Sequence, residues 1–235
     1  TLDFVRDCQE KWGVDIAWLE RYAKEAPEDH KNKYLYETKV VDYETAARKG
    51  EPFMQLLKVK RYAPNPVARF CTVDLKIRAI REFVEFIEWE MPYVGFIGIR
   101  ADEQRRAAKM HGTKESGQER FLPLWVDGVT KEHIYDFWIN SDFDLNLPNN
   151  NGVTDWGNCD LCFLKGHSKR MSIIRERPDL ADWWIEAEAS LSKQVGKAAY
   201  FRADTPSYAN MKVIATSQDT FDFGDDETIP CFCGD

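Results

Sequence analysis

Six cysteines, at positions 8, 71, 159, 162, 231 and 233, constrain this 235-residue chain more than any other feature. They are too few for a disulfide scaffold at this length, too clustered for scattered core residues, and no signal-peptide pattern accompanies them. Cys159 and Cys162 form a Cys-x-x-Cys pair, preceded by Gly157 and Asn158, in a loop that runs into a helix. Such spacing lets two thiolates reach one zinc or iron-sulfur centre, or cycle as a redox dithiol; two loop cysteines that merely pack share the same pattern. Cys71, Cys231 and Cys233 add three thiols from distant parts of the chain, so a four-thiolate centre is within reach. Cys8, on the apolar side of an opening helix with Leu2, Phe4 and Val5, reads as core. His30, His111, His133 and His167 lack ligand spacing and read as surface or capping residues, which disfavours a zinc enzyme built on histidines.

Composition narrows the partners. With 43% hydrophobic and 31% charged residues the chain reads as a soluble globular protein, one domain or one with an appendage, long enough to bury a core. No apolar run approaches the roughly 20 residues that span a bilayer, so no membrane role is expected. Thirty-two basic against 40 acidic side chains give a net charge of −8, which argues against nucleic-acid binding through a general basic field. Small molecules are the expected partners.

Hydrophobic patterning alternates helical and extended segments, which predicts an α/β fold: an open, mostly parallel sheet with helices on both faces, then a helical carboxyl-terminal extension and tail. Helix is expected up to Gly13, a short strand at Val14–Leu19, a solvated charged excursion over 20–36, and extended chain at Val40–Tyr43. Thr45–Lys49 and Pro52–Lys58 read as short helices, 61–69 as irregular chain, and Val73–Trp89 as a helix with Cys71 at or just before its start. Tyr93–Ile99 (YVGFIGI) reads as a buried strand and Arg120–Leu124 as another. Lys131–Ile139 reads as a helix capped by Thr130. A long polar loop over 141–158 delivers Cys159, and helices follow at Ser168–Arg177 and Pro178–Gln194.

Gly98-Ile-Arg100-Ala-Asp102-Glu103-Gln-Arg105-Arg106 places three arginines at the carboxyl end of the Tyr93–Ile99 strand, where open α/β sheets bind ligands. Arginine forks there suit phosphate or sulfate oxygens. A solvated helix face, with Asp102 and Glu103 pairing the arginines at helical spacing, explains the same residues equally well.

Several blocks together resemble the phosphoadenosine phosphosulfate reductase family, within the adenine nucleotide alpha-hydrolase-like (PP-loop) superfamily, in its prophage-type iron-sulfur form. GIRADEQRR is similar to the family's substrate-binding arginine loop. LPLWVDGVTKEHIYDF, residues 122–137, resembles its Pro-Leu-x-x-Trp segment followed by a helix. GNCDLC stands where iron-sulfur members have Gly-Cys-x-x-Cys. In CTVDLK, Lys76 lies five residues after Cys71, the family's spacing from the first cysteine of a Cys-Cys pair, with Thr72 in place of the second cysteine.

The resemblance implies an adenine nucleotide alpha-hydrolase-like fold, with a nucleotide-binding-type domain over 1–140 and the cysteine loop, helices and tail of 141–235 packed on it. It implies an enzyme with a [4Fe-4S] cluster on Cys71, Cys159, Cys162 and one of Cys231 or Cys233. ATP or a related adenine nucleotide, or a sulfonucleotide, is held by Arg100, Arg105 and Arg106. Lys76 places positive charge between cluster and substrate, and Cys233 acts as sulfur carrier or nucleophile. Two departures shape the expectation. The phosphate loop Ser-Gly-Gly-x-Asp-Ser is absent, which suggests a strand and loop upstream of Thr1, and so is the Glu-Cys-Gly-x-His tail of the reductases. Sulfur transfer by a cytoplasmic, bacterial or phage-encoded protein, to a partner protein or nucleic acid, is therefore the leading expectation. A thiol-dependent sulfonucleotide reductase using a tail cysteine and a non-catalytic zinc module are the alternatives.

Overall fold

Helix α1, Leu2–Trp12, stops at Gly13, whose φ of 61° is the left-handed conformation that glycine adopts freely. A computed structural model describes residues 1–87, 93–110, 118–149 and 154–217. They fall into two compact units, one built from described residues of Thr1–Ala17 and Ile80–Thr154, the other from Trp18–Ala79 and residues 155–217.

The expected open parallel sheet does not form. The described residues hold two sheets of two strands each. In the second unit β1 (Trp18–Glu25) pairs antiparallel with β2 (Tyr34–Val41), from Trp18 opposite Val41 to Glu25 opposite Tyr34. This hairpin occupies the stretch that its charge marks as a solvated excursion. The reason lies in Arg21: it shares an inward strand face with Ala23, is 5% exposed, and stacks its guanidinium 4.3 Å from the Tyr36 ring centre. An arginine that neutralises a buried carboxylate counts as a core residue in the pattern, although its composition says surface.

Parallel pairing is confined to the first unit, where β3 (Tyr93–Phe96) and β4 (Gln118–Phe121) flank α5 (Gln104–Met110) in one βαβ unit. Tyr93–Ile99 is not a buried strand: Val94 and Phe96, on one face, are 53% and 73% exposed, and only Ile99 beyond the strand is fully enclosed, with Ala107, Met110 and Leu122. Pro123 opens the short α6 (Pro123–Val126), and α7 covers Lys131–Ile139. At its start the Thr130 N–H donates to His133 Nδ1 at 3.1 Å. Phe4 and Trp12 of α1 meet Trp138 and Phe143 at ring distances of 5.3 to 5.9 Å, and Lys11 pairs with Asp142 at 2.7 Å.

In the second unit Thr45–Lys49 is a turn, closed by Asp42 accepting from the Thr45 N–H at 2.8 Å, and the helix α2 runs Glu51–Lys60. Helices α8 (His167–Glu176), α9 (Ala181–Val195, ending at left-handed Gly196) and α10 (Tyr208–Ser217) complete it. Phe163, Trp184, Phe201 and Tyr208 stack at its centre, with Trp184 4.9 Å from Phe201 and 5.0 Å from Tyr208. Truncating one such buried aromatic costs about 3–5 kcal/mol. Among the described residues no helix is long and apolar enough to cross a membrane.

Candidate metal centre

Cys71 lies in a helical start of unusual build. The α3 turn, Phe70–Thr72, passes into a π-helical turn, Val73–Ile77, before α4, Arg78–Phe86. Single π turns are uncommon and often accompany functional sites. This one carries Asp74, 2% exposed, which meets Lys60 at 2.9 Å, Arg78 at 2.5 Å and Arg21 at 3.5 Å. A carboxylate so enclosed is stable only when paired, and its three cations fix the start of the helix against β1 and α2. Cys71 is thereby held half-buried, with Lys76 exposed on the same turn and within electrostatic reach of its sulfur.

The second pair of thiols sits in a loop held from several sides. Asn158, at φ 63°, turns the chain immediately before Cys159; asparagine tolerates this left-handed conformation better than most residues. Two successive turns follow, closed by Cys162 N–H donating to Cys159 O at 3.2 Å and Lys165 N–H to Cys162 O at 2.9 Å. The Tyr208 hydroxyl donates to Leu161 O at 2.5 Å, Arg202 to Phe163 O at 3.3 Å, and the Lys165 ammonium to Asp155 O at 2.5 Å. Behind them the buried Glu188 carboxylate accepts from the Phe201 and Tyr208 N–H groups at 3.3 and 3.1 Å. Arg170, 1% exposed, donates to Thr205 at 3.2 Å.

Cys71 packs against the buried cluster that contains Cys162, and Cys159 opens the turn that Cys162 closes. Burial is the main force raising the Cys162 thiol, up to about 12; repulsion from Cys159 and Cys71 adds to it, while the Leu164 N–H and Lys165 oppose it. Burial likewise raises Cys71, reinforced by Cys159 and opposed by the Thr72 N–H and hydroxyl and by Lys76. Cys162 is thus within electrostatic reach of Cys159 and Cys71, and Cys71 of Cys159, across the 88 residues that separate Cys71 from Cys159. A bound cationic centre relieves both causes at once, so the chemistry of the donor set suits thiolate-ligated metal. No three His, Cys, Asp or Glu side chains among the described residues are grouped closely enough to hold a single metal ion. A tetrahedral zinc needs its sulfurs within about 4 Å of one another; the thiolates of an iron-sulfur cluster bind different irons and stand farther apart. Cys231 and Cys233, the expected sources of a fourth thiolate, lie outside the described residues. Cys8 is buried, and burial raises its thiol, as befits a core residue.

The arginine loop belongs to the first unit. Arg100 is gripped in parallel by Asp102, through Nε at 2.9 Å and a terminal nitrogen at 3.1 Å, and Arg106 meets Glu103 at 2.6 Å, while Arg105 is exposed. Asp102 also accepts from the backbone of Lys131 at the start of α7, and the Arg100 guanidinium beside it holds its carboxyl below the usual range. Arg100 and Lys131 stand on the wall of a cavity of about 380 Å³ whose other sides include Phe4, Tyr135 and Trp138.

Three residues of the cysteine site escape a reading of the sequence: Asp74, Tyr208 and Lys165. Only Lys165 carries a local signal, three residues after Cys162 in an otherwise apolar Phe-Leu-Lys run. Tyr208 declares itself only through a partner far along the chain, and the burial of Asp74 only through Arg21 and Lys60, since its pair with Arg78 at helical spacing reads as a surface one.

No family model and no solved structure matches the chain. It is similar to a protein of Escherichia phage lambda named "Uncharacterized nin region protein ORF290", with 28% identity over 169 residues, 72% of this chain and 53% of that protein. The chain therefore spans about half the length of the curated relative it matches.

Proposed function

We propose that the chain is an iron-sulfur protein resembling the phosphoadenosine phosphosulfate reductase family in chemistry. Cys71, Cys159, Cys162 and one of Cys231 or Cys233 hold a [4Fe-4S] cluster, in the service of adenine-nucleotide-dependent sulfur transfer or sulfonucleotide reduction. The observation that carries this reading is that Cys71 packs against the buried cluster containing Cys162, whose turn begins at Cys159, so that thiols from two distant segments share one neighbourhood. It does not rest on the expected parallel sheet. When bound, the cluster supplies electron transfer or a polarising positive centre. The chain's own residues do the rest: Lys76 adds positive charge beside Cys71, and the tail cysteine that is not a ligand, Cys233 in the simplest assignment, carries sulfur or attacks as a nucleophile. Arg100, Arg105 and Arg106 hold phosphate or sulfate; two cations on a cavity wall with Tyr135 and Trp138 suit an anionic nucleotide with a planar base. A centre of reduced thiolates fits a cytoplasmic setting.

The test is an anaerobic assay of the 235-residue chain with a sulfonucleotide and a dithiol, and separately with ATP and a sulfide source. Sulfonucleotide reduction releases one sulfite for each dithiol oxidised to a disulfide, two electrons in each half. Sulfur transfer, run with nucleic acid added as acceptor, instead consumes ATP only when that acceptor is present: ATP adenylates an acceptor oxygen and releases pyrophosphate, and sulfide then displaces AMP, which leaves with the oxygen. Inactivity in both assays, with zinc in place of iron, overturns the reading and makes the cysteines a structural zinc site.

A further inference from the structure

Lysine is among the residues least often buried, because its ammonium loses several kcal/mol of hydration unless an anion replaces the water. Lys165 is 6% exposed. Its ammonium donates to a backbone carbonyl, Asp155 O, at 2.5 Å, and among the described residues it makes no ion pair with a carboxylate. The Asp155 carboxylate is engaged at 3.3 Å by Lys169 instead, and Asp155 and Asp160 act on Lys165 only at longer range. A carbonyl dipole satisfies one hydrogen of the ammonium without cancelling its charge. Asp74, another deeply buried ion, shows the contrast, with cations on three sides.

The two turns of the cysteine loop decide what Lys165 does meet. Each brings its first and last residues within about 7 Å, so Cys159, Cys162 and Lys165 form a short ladder of adjacent positions. Burial lowers the Lys165 pKa, and Cys162, itself buried, and Cys159 are among the groups that oppose this and favour the ammonium. We propose that Lys165 is the counter-ion of the cysteine centre: its buried charge is balanced by the net negative charge of the thiolate-ligated group, and it favours that group's reduced, more negative state. The proposal rests on the cluster reading above and assigns the site's main fixed cation to Lys165, with the exposed Lys76 in a lesser place.

The measurement is the cluster's midpoint potential in anaerobically prepared wild type, Lys165→Met and Lys165→Arg, with iron and sulfide content and circular dichroism recorded for each. In Lys165→Met the ratio of reduced to oxidised cluster at a fixed ambient potential falls about tenfold, a shift of about 59 mV to lower potential for one electron. Lys165→Arg, which keeps the charge, stays within about threefold of wild type. If Lys165→Met folds but cannot hold iron while Lys165→Arg can, the counter-ion role is likewise supported. An unchanged potential in a fully loaded Lys165→Met overturns this inference alone, as does loss of iron in both variants, which makes Lys165 a matter of shape. A wild type that binds no iron overturns the cluster reading and this inference with it.

Discussion

The hydroxyl of Tyr208 donates to the carbonyl of Leu161 at 2.5 Å, which ties α10 to the chain between Cys159 and Cys162. Both groups are buried, so the bond has no water to replace it. Tyr208→Phe leaves the Leu161 carbonyl unsatisfied at a cost of about 1–3 kcal/mol. The expected outcome is a lower urea midpoint together with faster alkylation of Cys159 and Cys162 by iodoacetamide. A midpoint shift without faster alkylation would show that the bond stabilises α10 and not the loop.

Glu188 behind this bond makes stability depend on pH. Burial raises its carboxyl above the ordinary value, more than the Tyr208 and Phe201 N–H groups and Arg170 lower it. A carboxyl with a raised pKa in the fold binds its proton more tightly folded than unfolded. Its contribution is therefore fully present below the ordinary carboxylate range and is lost as pH rises through the raised value. Wild-type Tm should fall across that window relative to Glu188→Gln, whose profile should be flatter there. Parallel profiles would contradict the assignment.

Asp74 is the third test of the scaffold. Asp74→Asn keeps the shape but leaves Arg21, 5% exposed, and the largely enclosed Lys60 without their anion. Removing one partner of a buried charge group costs about 3–5 kcal/mol; Arg78, about half exposed, contributes little to that sum. Chemical denaturation should show the loss, and alkylation of Cys71 should quicken as the helix start loosens. A change below about 1 kcal/mol would mean that water already screens the cluster.

Local signals carried much of the fold. Thr130 before Lys131 marks α7 to the residue, and Gly13 and Gly196 end α1 and α9 because each position needs a left-handed turn. Where the expectation fails, tertiary pairing overrides a local pattern. Arg21 reads as solvent-facing until Asp74, 53 residues away, appears as its partner. YVGFIGI reads as buried because its residues are apolar, yet a strand with a single described neighbour leaves Val94 and Phe96 exposed. At the site the spacing of Cys71, Cys159 and Cys162 is visible in the sequence, since thiols are rare and clustered. Tyr208 is not, because a core tyrosine does not announce which carbonyl its hydroxyl meets, and Lys165, despite its place three residues after Cys162, reads as surface because it is a lysine.

The central claim, that the cysteines hold a cluster, is met most directly by quantifying iron, acid-labile sulfide and zinc in the anaerobically purified chain, with Cys71→Ser, Cys159→Ser and Cys162→Ser alongside. Wild-type protein should carry about four iron and four sulfide per chain, with broad thiolate-to-iron absorbance. Each of the three substitutions should remove most of the iron and sulfide. Wild-type protein that carries no iron or sulfide, or iron that survives all three substitutions, would contradict it.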